Sequence, residues 1–329
     1  MRLTFFTSIN NAYFSKAKLL SESVKAHHPD SKFVCLLVDE PVSNWKELAA
    51  NFDEILVPSD DLIPDFRKWV YQHTVVEACT GVKGPALRQL LSDQETDAVI
   101  YLDPDIYVYS PLVEVIDALK QSPIVLTPHF TEAALKTETI RANEYSALLH
   151  GTFNLGFVAV ARNDEGIRFA DWWADRLVGH CFDEKNLGLF TDQRWVDLAP
   201  SYFPDLHILR QPGSNFATWN CESRQLGRDA DGRLTSNAEP LRFVHFSGFD
   251  SGAHEDAREQ FAPNDVVFRE LSKQYSAALS SSPVNWVDRL PWTFGTNKAG
   301  ERIRPEWRRR FRDSAESFAL YQDPFEIPN

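Results

Sequence analysis

Two Asp-x-Asp pairs stand in the sequence, at 103/105 and 229/231, and 26 Asp among 329 residues produce about two by chance. Their surroundings separate them. Asp229-Ala230-Asp231-Gly232 lies in a polar stretch with no adjoining apolar strand, the composition of a solvated turn. Asp103-Pro104-Asp105 instead terminates the most apolar strand candidate, Asp97-Ala98-Val99-Ile100-Tyr101-Leu102. Residues two apart on an extended backbone point to one side, so both carboxylates can converge on one hard cation, and Pro104 stiffens the exit. The plainer alternative is a capped strand end with two exposed acids. His245 closes another apolar run, Leu241 to Phe246, and precedes Ser247-Gly248. As a neutral imidazole at the same edge it would complete an O,O,N donor set suited to Mn2+ or Mg2+, with diphosphate oxygens filling the remaining positions.

Two further constellations carry polar chemistry. Thr191-Asp192-Gln193 places a carboxylate and an amide before the helical Arg194 to Leu198, where an N-cap would also be served. Gly213 to Asn220 gathers Asn215 and Asn220 around Trp219, a set that can hydrogen-bond sugar hydroxyls against a ring face or simply anchor a loop.

The elements that must position these residues follow a βαβ rhythm. Leu3 to Ile9 reads as a strand, Tyr13 to His27 as a helix, Lys32 to Val38 as a second buried strand, Trp45 to Ala50 as a helix and Glu54 to Val57 as a short third strand. Between Phe66 and Leu91 apolar residues recur at helical spacing, and Gly81 with Gly84-Pro85 splits the segment into two helices joined at Val82-Lys83. Leu155 to Ala161 is another buried strand with Gly151-Thr152-Phe153-Asn154 at its entrance, and Phe169 to Val178 a helix. Parallel strands covered by helices, an α/β sheet, are the expected architecture. Such sheets bind ligands at the carboxyl ends of their strands, where Asp103 and Asp105 fall.

The net charge of -13, from 47 acidic and 34 basic residues, gives no general attraction to phosphate backbones and argues against a nucleic-acid binder. No stretch approaches the roughly 18 to 20 apolar residues of a membrane span, and Met1 leads straight into a strand. A cytoplasmic chain is expected unless a partner carries it. Four cysteines at 35, 79, 181 and 221 show no paired spacing and read as reduced, mostly buried thiols.

The order of these pieces resembles the GT-A glycosyltransferases, and most closely the family 8-like retaining enzymes of bacterial polysaccharide and lipopolysaccharide assembly. The resemblance rests on Phe6-Thr7-Ser8-Ile9-Asn10-Asn11, Ile100 to Asp105, Gly151 to Phe157, Thr191-Asp192-Gln193 and Val244-His245-Phe246-Ser247-Gly248, in that order. It implies a Rossmann-like, mainly parallel sheet over residues 1–265 and a helical C-terminal appendage over 266–329. It also implies a nucleotide-sugar donor, a UDP-sugar first among them, and a saccharide or lipid-linked acceptor. Asp103, Asp105 and His245 would hold the cation on the donor diphosphate. Thr7, Ser8 and Asn11 would line the nucleobase and ribose pocket, and Arg88 would contact the donor. Asn154 and Gly156 would lie beneath the transferred sugar, Asp192 and Gln193 would face its anomeric centre, and Asn215, Trp219, Asn220 and Gly248 would complete the donor site. Relatives place a lysine shortly after the His-x-x-Gly segment, whereas here Phe249-Asp250-Ser251-Gly252 follows. Arg88, Lys83 or a residue of the C-terminal helix is then expected to supply that charge.

Two other functions fit parts of the pattern. A sugar nucleotidyltransferase would want a Gly-rich basic loop after the first strand, and Thr7 to Asn11 has neither Gly nor Lys. A non-catalytic carbohydrate-binding protein has no need of three metal ligands. In the tail, Arg302, Arg304, Arg308, Arg309, Arg310 and Arg312 surround Trp307 and Phe311, with Phe318 beyond and Asp313, Glu316 and Asp323 diluting the charge. This helix is expected to dock its aromatic face on the main domain with its arginines at the cleft; the alternative is peripheral contact with an anionic membrane.

Overall fold

The computed structural model describes residues 1–42, 45–314 and 323–327. A seven-stranded sheet forms its centre: β1 (Leu3–Ile9), β2 (Lys32–Leu37), β3 (Glu54–Leu56), β4 (Ala98–Leu102), β6 (Ile124–Pro128), β7 (Phe153–Ala161) and β10 (His207–Ile208). Their order across the sheet is β10-β6-β7-β4-β1-β2-β3. All pairings are parallel except those of β7, which runs antiparallel to both β4 and β6. Every residue of β1, β4, β6 and β7 is buried, the continuous apolar pattern of strands covered on both faces. Alternation divides neighbours between two cores: Phe6 and Tyr101 point into one, Phe5 and Ile100 into the other. The first core is roofed by the helices Lys83–Ser92 and Asp164–His180, so close that a Cβ on Gly84 would stand 2.8 Å from the Ala174 Cα. The helix Phe14–His27 closes the second.

The apolar run ending in His245 is not a strand of this sheet. It forms β15 (Phe243–His245), which pairs antiparallel with β5 (Ile106–Val108) and parallel with β11 (Phe216–Ala217) in a separate three-stranded sheet. Because β5 begins directly after Asp105, the register His245↔Ile106 delivers the histidine to the two aspartates. The Asp229-Asp231 pair caps the hairpin between β12 (Leu226–Arg228) and β13 (Leu234–Ser236), where Asp229 Oδ1 accepts from the backbone of Asp231 and Arg233, and β14 (Glu239–Pro240) completes that sheet. A two-stranded ribbon of β8 (Asp183–Glu184) and β9 (Leu189–Phe190) leads into Thr191.

The segment after residue 265 adds to these cores. Phe268, Leu271 and Tyr275 of the helix Val266–Ser280 pack on Phe216, Val244 and Phe246, while Phe294, Ile303, Phe311, Phe325 and Ile327 join the core of Phe6 and Tyr101. The helix Pro305–Asp313 docks its aromatic face as expected, with Phe311 edge-on to Tyr71. Its arginines serve that contact, away from the cleft. Arg308 is buried and donates to the carbonyls of Val70, Tyr71 and Phe294, and Arg309 and Arg312 both pair with Glu184. Phe318 and Glu316 lie outside the described residues. Among the described residues no helix is long and apolar enough to cross a membrane. All four cysteines are free, three of them buried.

Candidate active site

Asp103-Pro104-Asp105 is a β-turn rather than an extended strand end. The Ile106 N–H donates to the Asp103 carbonyl, Pro104 takes the second turn position that its fixed φ favours, and the Asp103 N–H ties the turn to the Gly156 carbonyl on β7. The carboxylates converge because of this turn. One ligand atom each from Asp103, Asp105 and His245 lies within 4.8 Å of the others. His245 Nε2 stands 3.0 Å from Asp105 Oδ1 and 3.8 Å from Asp103 Oδ2. Burial pulls His245 down, but the Asp105 charge and hydrogen bond outweigh it and hold the imidazole above its ordinary value. Burial likewise raises Asp105, and the facing His245 overcomes it to hold that carboxyl low. Two ionised oxygens and one imidazole nitrogen on a small arc fit a hard divalent cation such as Mn2+ or Mg2+.

A supporting shell fixes the histidine. Asn154 Oδ1 accepts from Asn215 Nδ2 (3.1 Å) and lies 3.2 Å from His245 Nδ1. A carbonyl oxygen only accepts, so His245 Nδ1 is the donor to Asn154, and this bond keeps Nε2 turned to the aspartates. His129 Nε2, 3.3 Å from Asn154 Nδ2, holds the other end of that amide. Gly156 leaves the ring its room: a Cβ there would stand 2.4 Å from His245 Cε1.

The cluster opens into a cleft of about 540 Å³ lined by Ser8, Tyr13, Lys83, Asn154, Asp192 and Gln193, among others. Lys83 Nζ stands 3.1 Å from Asp103 Oδ1 and 3.0 Å from Asp192 Oδ2 and donates to the Leu155 carbonyl. Burial alone would lower this lysine, yet the charges of Asp103 and Asp192 raise it, so it is a fixed cation in the cleft wall. Burial pushes Asp192 up, with Lys83 pulling it back. Asp192 is no side-chain cap on the helix Gln193–Val196, and Thr191 before it holds a φ of 43°, a left-handed geometry that turns the carboxylate toward Lys83. Gln193 spends its amide on the backbone, accepting from the Leu155 N–H and donating to the His150 carbonyl. It fixes the entrance of β7.

Other expected residues fall elsewhere. Ser8 lines the cleft and donates to the Cys79 carbonyl, whereas Thr7 is buried in the sheet and Asn11 is buried with its N–H donated to Asp39; their neighbours Asn10 and Tyr13 line the cleft instead. Arg88 does not reach the cleft. It lies on the outer face of its helix, 3.7 Å from Asp175, because five residues at about 100° each carry it roughly 140° around from Lys83. Asn220 anchors its loop, its Oδ1 taking the Ala217 N–H and its Nδ2 donating to the Asn215 carbonyl, whereas the Asn215 side chain donates to Thr127 and Asn154 behind His245. Trp219 stands edge-on to His245 at 5.1 Å. Gly248 has a φ of 75° and turns the chain after His245. Lys16 is a cation that the sequence pattern does not single out: its Nζ pairs with Asp250, in the segment where the family resemblance led to the expectation of a lysine, and its charge helps lower Asp105. The signal available was an acid at 250 in place of that lysine.

No family model matches the chain. Two proteins of Bacillus subtilis (strain 168), described as uncharacterized, are similar in sequence. YfnD is 25% identical over 254 residues, 74% of this chain and 77% of its own. YfnF is 24% identical over 257 residues, 76% and 82%. Among solved structures, the galactosyltransferase LgtC in complex with donor and acceptor sugar analogs matches with a TM-score of 0.53 at 17% identity, over 88% of this chain and 100% of LgtC. An active-site mutant of LgtC gives 0.51 over the same shares. The fold is therefore the GT-A fold, a mainly parallel α/β sheet with the aspartate turn at its carboxyl edge.

Proposed function

We propose that this protein is a glycosyltransferase that moves a sugar from a nucleotide-sugar donor to a saccharide or lipid-linked saccharide acceptor, with retention of anomeric configuration. The observation that carries the reading is the convergence of Asp103, Asp105 and His245 at the floor of a cleft in a GT-A fold. Mn2+ or Mg2+ bound there would supply Lewis-acid stabilisation of the departing diphosphate. Asp103 and Asp105 act as ligands and not as acids or bases, and Asn154 keeps His245 Nε2 turned to them. Lys83 and Lys16 provide the positive charge that the segment after His245 lacks. With the Gln193 amide committed to the backbone, Asp192 is the carboxylate placed to stabilise positive charge at the anomeric centre, and the leaving phosphate oxygen takes the acceptor proton.

A panel of nucleotide sugars, screened for manganese-dependent hydrolysis and thermal stabilisation, tests the reading. At least one donor is expected to be hydrolysed slowly, and proton NMR of the first-formed transfer product to show retention. A panel without binding or turnover contradicts transfer, and an inverted product contradicts the retaining assignment alone. Turnover of a sugar phosphate with a nucleoside triphosphate would point instead to a nucleotidyltransferase.

A further inference from the structure

Two more cavities adjoin the cleft. A middle cavity of about 300 Å³ shares Asn154, Phe190, Gln193 and Ser247 with the cleft. An outer one of about 310 Å³ shares Phe130, Asn143 and Trp219 with the middle one. The three thus stand in a row with common walls. The middle cavity differs from the cleft in charge: among the described residues its lining has no Asp, Glu, Lys or Arg, and is aromatic (Phe130, Phe190, Trp219), neutral-polar (Asn143, Ser146, Gln193) and imidazole (His129, which burial holds low, and His150). The outer cavity holds an excess of acids: Lys136 and Glu222 are paired at 2.5 Å, with Thr139 donating to the same carboxylate, while Glu144 accepts from the Ala134 N–H and Glu132 adds a further carboxylate.

From this we infer that the acceptor is an uncharged saccharide at least two units long, its terminal unit in the middle cavity and the next in the outer one. The inference rests on the transferase reading for the word acceptor and on the cavity row for the rest. Aromatic walls pack against the C–H faces of a pyranose, and amides and hydroxyls satisfy its hydroxyl groups. A carboxylate or phosphate on the terminal unit would be desolvated there with no lysine or arginine to meet it, and beside Glu132 and Glu144 in the outer cavity. Trp219 links the two units, since its ring lines both cavities and contacts His245. The pocket is covered by the helix Tyr145–His150 and the single π-helical turn Ile140–Glu144 before it.

Saturation-transfer NMR on the full chain tests this without any donor. The probes are methyl glucoside, methyl galactoside, lactose, maltose and cellobiose, with methyl glucuronide and methyl galacturonide as the anionic isosteres. Neutral probes are expected to bind, the best disaccharide about tenfold tighter than its monosaccharide, and the uronides at least tenfold weaker than their neutral partners. Ala147→Trp, which fills the middle cavity from its rim, is expected to lower neutral-sugar binding about tenfold with an unchanged melting temperature. Uronides that bind as well as neutral sugars, no binding by any probe, or full binding by Ala147→Trp would each overturn the inference. Donor hydrolysis measured on the same preparation reports on the transferase reading separately, so saccharide binding without hydrolysis would contradict that reading and leave the pocket standing.

Discussion

Two regions of this molecule concentrate charge, and they use it in opposite ways. At the cleft, Lys83, the Asp103/Asp105 turn, Asp192 and His245 come from four places in the chain and face one another around an opening. At the C-terminal helix the arginines are consumed by the fold: Arg308 gives its hydrogens to three carbonyls, and Arg309 and Arg312 clamp Glu184. The charge at the cleft is held for a ligand, whereas that at the tail replaces helix-end and loop hydrogen bonds which would otherwise be lost on burial. Density of charge in a sequence therefore does not separate function from packing. What separates them is whether the partners are backbone groups or other ionisable side chains around a cavity.

The comparison makes substitutions separable by readout. The largest effect is expected from Asp105→Asn, which removes a ligand charge at constant volume: metal-stimulated turnover should fall on the order of 10²–10³-fold while the melting temperature holds. Turnover within a factor of three of wild type at saturating donor and metal would break the assignment. Arg308→Met should do the reverse, leaving carbonyls of Val70, Tyr71 and Phe294 short of donors and lowering stability by about 2–4 kcal/mol in denaturant melts. The affinity of the folded fraction for a nucleotide sugar should not change. Asn154→Ala sharpens the boundary between the regions, because it frees the His245 ring: manganese affinity by calorimetry should weaken about 10–100-fold.

The smallest effect is a pH slope at the tail. His73 is buried between Trp69 and Phe182, and burial pulls it down to about 3, the nearby arginines adding to the push. Its folded value lies below the unfolded one of 6.5, so the unfolded chain binds the extra proton first. His73 therefore contributes no pH dependence above about 6.5, and stability is lost below it at up to about 1.4 kcal/mol per pH unit. In His73→Phe the slope of unfolding free energy between pH 6.5 and 5 should shrink by about one proton. An unchanged slope would place the acid sensitivity elsewhere.

Much of this arrangement is legible in the residues. The strand ending at Leu102 and the helix break at Val82-Lys83 follow from apolar periodicity and glycine placement, whereas the further break between the helices Phe66–Tyr71 and Val75–Gly81 left no such mark; the five ordered segments point to the fold only through the resemblance they carry. The cation corner is legible in composition but not in mechanism: β5 is three residues long, too short to carry a period, and it is this strand that brings His245 to the aspartate turn. Arg88 and Lys83 are both cations on one helix, and only the helical phase relative to the sheet decides which one enters the cleft. Asn215 and Asn220 look alike in sequence, yet Asn220 bonds its own loop's backbone while Asn215, at φ 57°, donates to Thr127 and to the Asn154 that holds His245. Lys16 and Asp250 lie 234 positions apart, a distance over which local pattern says nothing.

On the proposed function, the aspartate turn and His245 together hold one divalent cation for a nucleotide diphosphate. Calorimetric titration of Mn2+ into the full chain, with and without a saturating nucleoside diphosphate, tests it most directly. One Mn2+ per chain is expected, bound about tenfold or more tighter when the diphosphate is present, with no high-affinity site in Asp105→Asn. Equal manganese binding by wild type and Asp105→Asn, or diphosphate binding indifferent to manganese, would contradict it.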